Sequence, residues 1–144
     1  MEYIMTTAGT NSEFGFMLAS TGISGTFGSL GNSSYGWSYA RGAGIGHNGT
    51  YITSSVSTWT TGDVIMMAFD AVNNSVWFGK NGVWQGTGSP NPATNTSANF
   101  TGLTGTYIPA IGGYNGVVAS VNFGQQPFNY TPPTGFVALN AYNM

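Results

Sequence analysis

Charge is what this chain has least of. Two basic and four acidic side chains make up 4% of 144 residues, against roughly 25% in ordinary soluble domains. Arg41 and Lys80 are the whole basic inventory. Affinity for phosphate backbones and anionic bilayers grows with the number of cations engaged, so neither nucleic acid nor membrane is expected as a partner. Cysteine is absent, which excludes disulfides, thiolate metal sites and thiol nucleophiles and leaves the compartment open. His47 is the single histidine, too little for a metal centre that wants three or more ligands; no cofactor is expected. The longest apolar run, Val64 to Phe69, has strand length and falls short of the roughly 18 residues a membrane span requires. The opening MEYIMTTAGT has no basic region followed by an apolar core, so it does not read as a signal peptide.

The same scarcity argues against catalysis. General acid–base chemistry needs titratable groups with separated roles, and the acids are Glu2, Glu13, Asp63 and Asp70. Asp63 follows Gly62 at a strand entry and Asp70 precedes an Asn-rich turn, positions where a carboxylate caps backbone N–H groups. A surface solvated by Asn, Ser, Thr and Gly also lacks the like-charge repulsion that keeps copies apart, which favours assembly with itself or with a larger body.

What is present is β-forming. With 23 glycines and 15% aromatics, short β-branched and aromatic runs recur between turn signals. Strands are expected at residues 2–6, 13–19, 35–40, 50–54, 63–70, 75–79, 83–86, 106–111 and 116–124, with a last short one near 135–139. VIMMAFD is apolar on both faces, as a central strand covered from each side would be, while Val117, Ala119, Val121 and Phe123 share one face of theirs. Two stacked antiparallel sheets in a single domain, residues 1–144, follow. The segment from Gly86 to Thr106 is an irregular loop with anchors at Phe100 and Leu103, and residues 20–34 are irregular as well. In NSVWFGKNGVWQG, Asn81-Gly82 suits a tight hairpin turn. Trp77 and Phe78 point to opposite sides of their strand, so one of them lies on the outer face or under a loop; Trp37, Trp77 and Phe123 are expected in the core.

The order of GDVIMMAFD, a turn, VWFGKNG, YIPA, VASVNFG and PPTGF resembles the SPRY domain family. The likeness is carried by Gly62, Asp63, Asp70, Lys80, Asn81, Gly82, Tyr107, Pro109, Ala110, Asn122, Phe123, Gly124, Pro132, Pro133 and Gly135. It implies an all-β, SPRY-like (concanavalin-like) bent β-sandwich that binds rather than catalyses. Met1-Glu2-Tyr3 enters where the family's first strand is already under way, so a piece of a longer polypeptide is expected. NGVWQGTGSPNPATNTSANF and NFGQQPFNYTPPTGFVALN are similar to SPRY domains of tailed-phage tail fibres and decoration proteins, which implies a place on the virion exterior, outside the cell.

Ligands of that family meet loops at one end of the sandwich. Carried onto YARGAGIGHNG and IGGYNG, the resemblance implies Tyr39, Arg41, His47, Tyr114 and Asn115 as ligand-binding residues, with Gly46 standing where peptide-binding members carry an aromatic. The implied partner is a host surface polysaccharide or protein; the alternative is a structural subunit packing against copies of itself or another virion protein. Arg41 suits a carboxylate or a peptide carbonyl, and its plainer reading is a salt bridge or an exposed turn cation. Trp59, Trp84 and Tyr142, near expected strand ends or loops, are further candidates for exposed rings.

Overall fold

Alternation along each strand decides which side chains meet in the middle of the molecule. The computed structural model describes residues 1–21, 29–42 and 44–139. Its strands are β1 (Glu2–Thr7), β2 (Thr10–Leu18), β3 (Gly36–Ala40), β4 (Gly44–His47), β5 (Thr50–Ile52), β6 (Val64–Asp70), β7 (Ser75–Lys80), β8 (Val83–Trp84), β9 (Tyr107–Tyr114) and β10 (Val118–Asn122). They form two five-stranded antiparallel sheets, in the orders β10-β1-β6-β7-β8 and β5-β4-β3-β2-β9. Among the described residues the only helical pieces are three-residue 3-10 turns. The fold is the expected all-β sandwich.

Phe14 and Phe16 of β2, Trp37 and Tyr39 of β3 and Ile45 of β4 face Tyr3, Met5, Ile65, Met67, Val76 and Phe78 of the other sheet. Rings bridge the layers: Tyr3 lies 5.0 Å from Phe14 and Phe16 lies 6.3 Å from Phe78, centroid to centroid. The Tyr3 hydroxyl donates to the Gly15 carbonyl at 2.7 Å, so this buried phenol keeps a partner. Burying each such side chain contributes about 1.5–3 kcal/mol.

The paired aromatics of β7 divide as alternation requires. Phe78 enters the core, while Trp77, equally buried, faces outward and is roofed by the long loop, its indole N–H donating to Thr96 O at 2.9 Å. That loop is tethered. Val76 N–H donates to Phe100 O, Leu103 is buried, and Asn99 accepts from Phe78 N–H while donating to Gln85 O. The Asn81-Gly82 turn takes positive φ at both residues, 48° and 85°, and Asn81 also bonds Val64 N–H and Asp63. The hairpin is a bracket for its surroundings.

β6 is buried on both faces from Val64 to Ala68. The outer face is covered by residues 123–139, whose Phe136 ring meets Trp77 at 6.2 Å. Glu2 fastens this segment by accepting from Asn129 N–H, the Asn129 amide and Tyr130 N–H, each at 3.0 Å.

Three expectations are corrected. No strand forms at 135–139; Pro132 and Pro133 just before it have no N–H to offer a ladder. Residues 44–47, outside the expected strands, form β4, because β3 and β5 pair with it on either side and override the weak strand propensity of glycine. Phe123 is half-buried and lies outside the core.

The sheet edges are blunted. Leu18 N–H bonds Tyr35 O and Arg41 N–H bonds Ser12 O, so even-numbered residues of β2 serve β3 and odd-numbered ones serve β9. Register then turns the main chain of Tyr107, Pro109 and Ile111 outward, and the middle one has no N–H to donate. On β10 the Gln125 amide caps Val121 O at 2.7 Å. At the opposite margins β8 has two residues and β5 three. Such edges are poor templates for strand addition.

Candidate functional site

One end of the sandwich gathers the turn after β3, the β1–β2 turn, the β9–β10 turn and the loop before β6. The first three are brought together by pairing: Thr10 sits opposite Tyr114, Asn115 donates from its side-chain amide to the Thr10 hydroxyl at 2.9 Å, and Arg41 donates from Nη1 to Gly9 O at 2.7 Å.

The loop Ser57–Thr61 is held at every residue. Tyr39 donates its hydroxyl to Ser57 O, and Ser57 N–H donates to the Gln85 side chain. Lys80 Nζ donates to Thr58 O at 2.7 Å and Arg41 Nε to Trp59 O at 3.2 Å. Thr60 N–H donates to Asp63 at 2.7 Å, and the Thr61 hydroxyl accepts from Ala8 N–H. The Trp59 ring plugs the core against Phe14 at 5.0 Å. Ser57, Thr58, Thr60 and Thr61 remain exposed. The result is a row of hydroxyl-bearing residues on a loop whose backbone has little freedom, so a ligand would cost it little ordering entropy.

The charged groups are spent internally. Asp63 and Lys80 form an ion pair at 3.1 Å. Glu13, nearly fully buried, accepts from Ser29, Gly31 N–H and Ser38. Asp70 accepts from Val72 N–H, Asn73 N–H and the Asn73 amide, the turn-capping expected of it. Burial of Asp63 disfavours its charge, but donors on Thr60, Asn81 and Lys80 outweigh this and hold its carboxyl below the ordinary value. The Asn73 side chain, then its N–H, do the same for Asp70. Both folded values thus lie below the unfolded one of 3.8. The stability they contribute is fully present above that pH and is lost as pH falls through the folded values. Thermal unfolding followed between about pH 5 and pH 2 should therefore show a steeper loss for the wild type than for the Asp63→Asn/Asp70→Asn double variant; parallel curves would contradict these bonds.

Of the residues expected to bind ligand, the structure brings Arg41, Asn115 and the backbone of Tyr114 to this end. The Tyr114 side chain and Tyr142 lie outside the described residues. Tyr39 is a correction: it is fully buried in mid-strand, and burial, then the charge of Asp63, push its phenol up. It acts on the site through Ser57. Trp59, a candidate for an exposed ring, is also buried, its ring packed into the core from the loop. His47 is a second correction: it sits on β4, stacked on Trp37 at 4.2 Å with Nδ1 against Gly36 O at 2.9 Å. It is about 10 Å along the strand from Gly44, toward the other end of the sandwich. Tyr51, not a side chain at residue 46, covers Gly46. Sequence reasoning missed the Ser57–Thr61 loop. Its one legible signal is Thr and Ser packed round a lone tryptophan.

Arg41 pairs with neither a carboxylate nor bulk water alone. It is half-buried, fixed by two backbone carbonyls, and no ion pair involves it among the described residues. A groove of about 960 Å³ lies elsewhere, between the outer sheet face, the 92–95 turn and the C-terminal segment. Its rim includes Val72, Val137 and Leu139, which are 89%, 74% and 56% exposed. No group of three or more His, Cys, Asp or Glu side chains suited to a metal occurs among the described residues.

No family model and no curated protein matches the sequence. Among solved structures the chain is similar to the SPRY domain of human HERC1, with a TM-score of 0.55 and 20% identity. That match covers 76% of this chain and 62% of the other, so this chain spans less than two-thirds of its neighbour's length. The class the fold defines is therefore a SPRY-like β-sandwich.

Proposed function

We propose that this domain is a non-enzymatic binding module on the exterior of a phage virion, contacting host surface glycan or protein through the loops at the Arg41 end. The observation that carries this reading is the pinned Ser57–Thr61 loop. Its exposed hydroxyls, beside those of Thr10 and the amide of Asn115, offer neutral donors and acceptors in fixed positions, which suits a polyhydroxylated partner. The virion setting rests on the sequence resemblance to phage SPRY domains. Nucleic acid and membrane are poor partners, since Lys80 is paired and Arg41 is tied to carbonyls. An array of purified bacterial surface polysaccharides and envelope proteins tests the proposal: retention on a subset is expected, falling about tenfold or more on Arg41→Ala. Wild-type silence across envelopes would remove it.

A second reading, a decoration or fibre subunit packed against copies of itself or another virion protein, is favoured by the apolar rim of Val72, Val137 and Leu139, since exposed apolar patches mark protein contacts. The blunted edges speak against assembly by strand addition. If this rim mediates association, sedimentation of the wild type gives an oligomer that Val72→Asp/Val137→Asp converts to monomer; a wild-type monomer at high concentration contradicts it.

A further inference from the structure

Arginine presents five N–H donors, and two of those on Arg41 are committed, Nε–H to Trp59 O and one Nη1–H to Gly9 O. The remaining Nη1–H and both on Nη2 meet no acceptor among the described residues. The bonds already made fix the plane of the guanidinium, so the open donors point in a set direction instead of sweeping through solvent. Arg41 also lines a cavity of about 60 Å³, bounded besides by Gly42, Gly44, Thr53, Val56, Ser57 and Thr58. That is too small for a sugar ring and about the room of two waters, which is also the scale of a carboxylate head. Gly42 has nothing within 4 Å of where a Cβ would stand.

A half-buried, immobilised cation with no counter-charge among the described residues is an unbalanced feature in a chain whose other charged side chains all find partners within the fold. Charge-assisted bonds to a guanidinium fork are short, strong and planar. Thr53, Ser57 and Thr58 bring hydroxyls to the niche, and the neighbouring loop displays more of the same at Thr60 and Thr61. Only Val56 brings an apolar side chain, leaving little to receive a peptide's anchor residue.

We propose, resting on the recognition reading above, that the ligand class is an acidic polysaccharide and that Arg41 receives the carboxylate of a uronic or sialic acid residue in this niche. The neighbouring sugars then lie over Ser57, Thr58 and Thr60. The carboxylate fills the guanidinium's open donors, and the hydroxyl loop supplies neutral bonds on either side.

The test uses oligogalacturonate, hyaluronan oligosaccharide and sialyl-oligosaccharides, each beside its carboxyl-reduced counterpart. Arg41 is the sole arginine, so its Nε–H gives one side-chain NMR signal in the unmodified protein. A shift of that signal with an acidic oligosaccharide, and an affinity about ten- to a hundredfold above the reduced form, are expected. Arg41→Gln should erase that ratio and Arg41→Lys recover part of it. Because these variants also lose a clamp on Trp59, the wild-type signal is the readout that survives a loosened loop. Equal binding of acidic and reduced forms, or binding of neutral polysaccharides alone, overturns the inference and leaves the recognition reading standing. Displacement of the Arg41 signal by an acidic peptide but by no sugar overturns the sugar assignment. Silence toward every glycan and protein overturns both.

Discussion

Gly15→Ala is expected to cost at least about 3 kcal/mol, a large share of the roughly 5–15 kcal/mol that holds a typical domain folded, because overpacking against fixed atoms has no cheap escape. A Cβ at Gly15 would overlap the Trp37 carbonyl oxygen and stand 2.9 Å from Ser38 Cα. Both obstacles are backbone, so no rotamer change relieves them. β2 is paired on both sides, Gly15 to Ser38 and Gly15 to Ala110, and moving it away breaks one ladder or the other. The carbonyl of Gly15 also accepts from buried Tyr3, so a displaced β2 strands a phenol in the core as well. Gly42→Ala is the matched control: with nothing within 4 Å of the new methyl, it should lie within about 0.5 kcal/mol of wild type. Urea midpoints for the two variants check this, and similar values would mean that β2 and β3 do not approach as described.

Trp77→Ala is expected to cost about 3–5 kcal/mol. The ring is fully buried although it sits outside the space between the sheets, and two coverings depend on it. Thr96 O accepts its N–H, and Phe136 packs edge-on against its face, so its loss leaves a void beneath both the 86–106 loop and the C-terminal segment. Amide exchange should accelerate in those two segments while β2 and β3 stay protected. Trp77→Phe keeps most of the ring and loses the bond, and should cost about half as much or less. Unchanged exchange in the loop with Trp77→Ala would show that other anchors, Asn99 and Leu103, hold it alone.

Much of this architecture is legible in the chain because local chemistry and global pairing agree. VIMMAFD reads as a doubly covered strand and is one; Asn81-Gly82 reads as a tight turn and has both positive φ values; Asp70 reads as a cap and accepts three bonds. Phe100 and Leu103 stand out as anchors in a polar loop and serve as such. β4 was hidden because Gly44 and Gly46 carry no strand signal, and its state is set by neighbours on both sides. The supposed final strand failed for the opposite reason, since apolar residues after a Pro-Pro pair pack as a strap without a ladder.

The site was harder to read than the fold. Aromatics near a strand end look alike in sequence whether they face solvent or the core; pairing in β3 turns Tyr39 inward, and Trp59 enters the core from a loop that other side chains hold. His47 was drawn to the wrong end by the same hidden β4. Arg41 and Asn115 lie at one end of the sandwich, on the turns to which the resemblance pointed. The hydroxyl loop between them escaped notice because its order comes from bonds made by side chains far away in sequence: Tyr39, Gln85, Lys80, Arg41 and Asp63. Rigidity built from such distant bonds leaves no local pattern.

The claim on which the rest depends is that partners meet the Arg41 end. Hydrogen–deuterium exchange of the intact protein, with and without a panel of bacterial surface polysaccharides, measures that most directly. Protection is predicted in residues 7–11, 41–42, 57–61 and 115–117, with none at the opposite end around the Asp70–Asn74 turn. Protection confined to that turn and the C-terminal segment, or no protection with any polysaccharide that binds, would contradict the account.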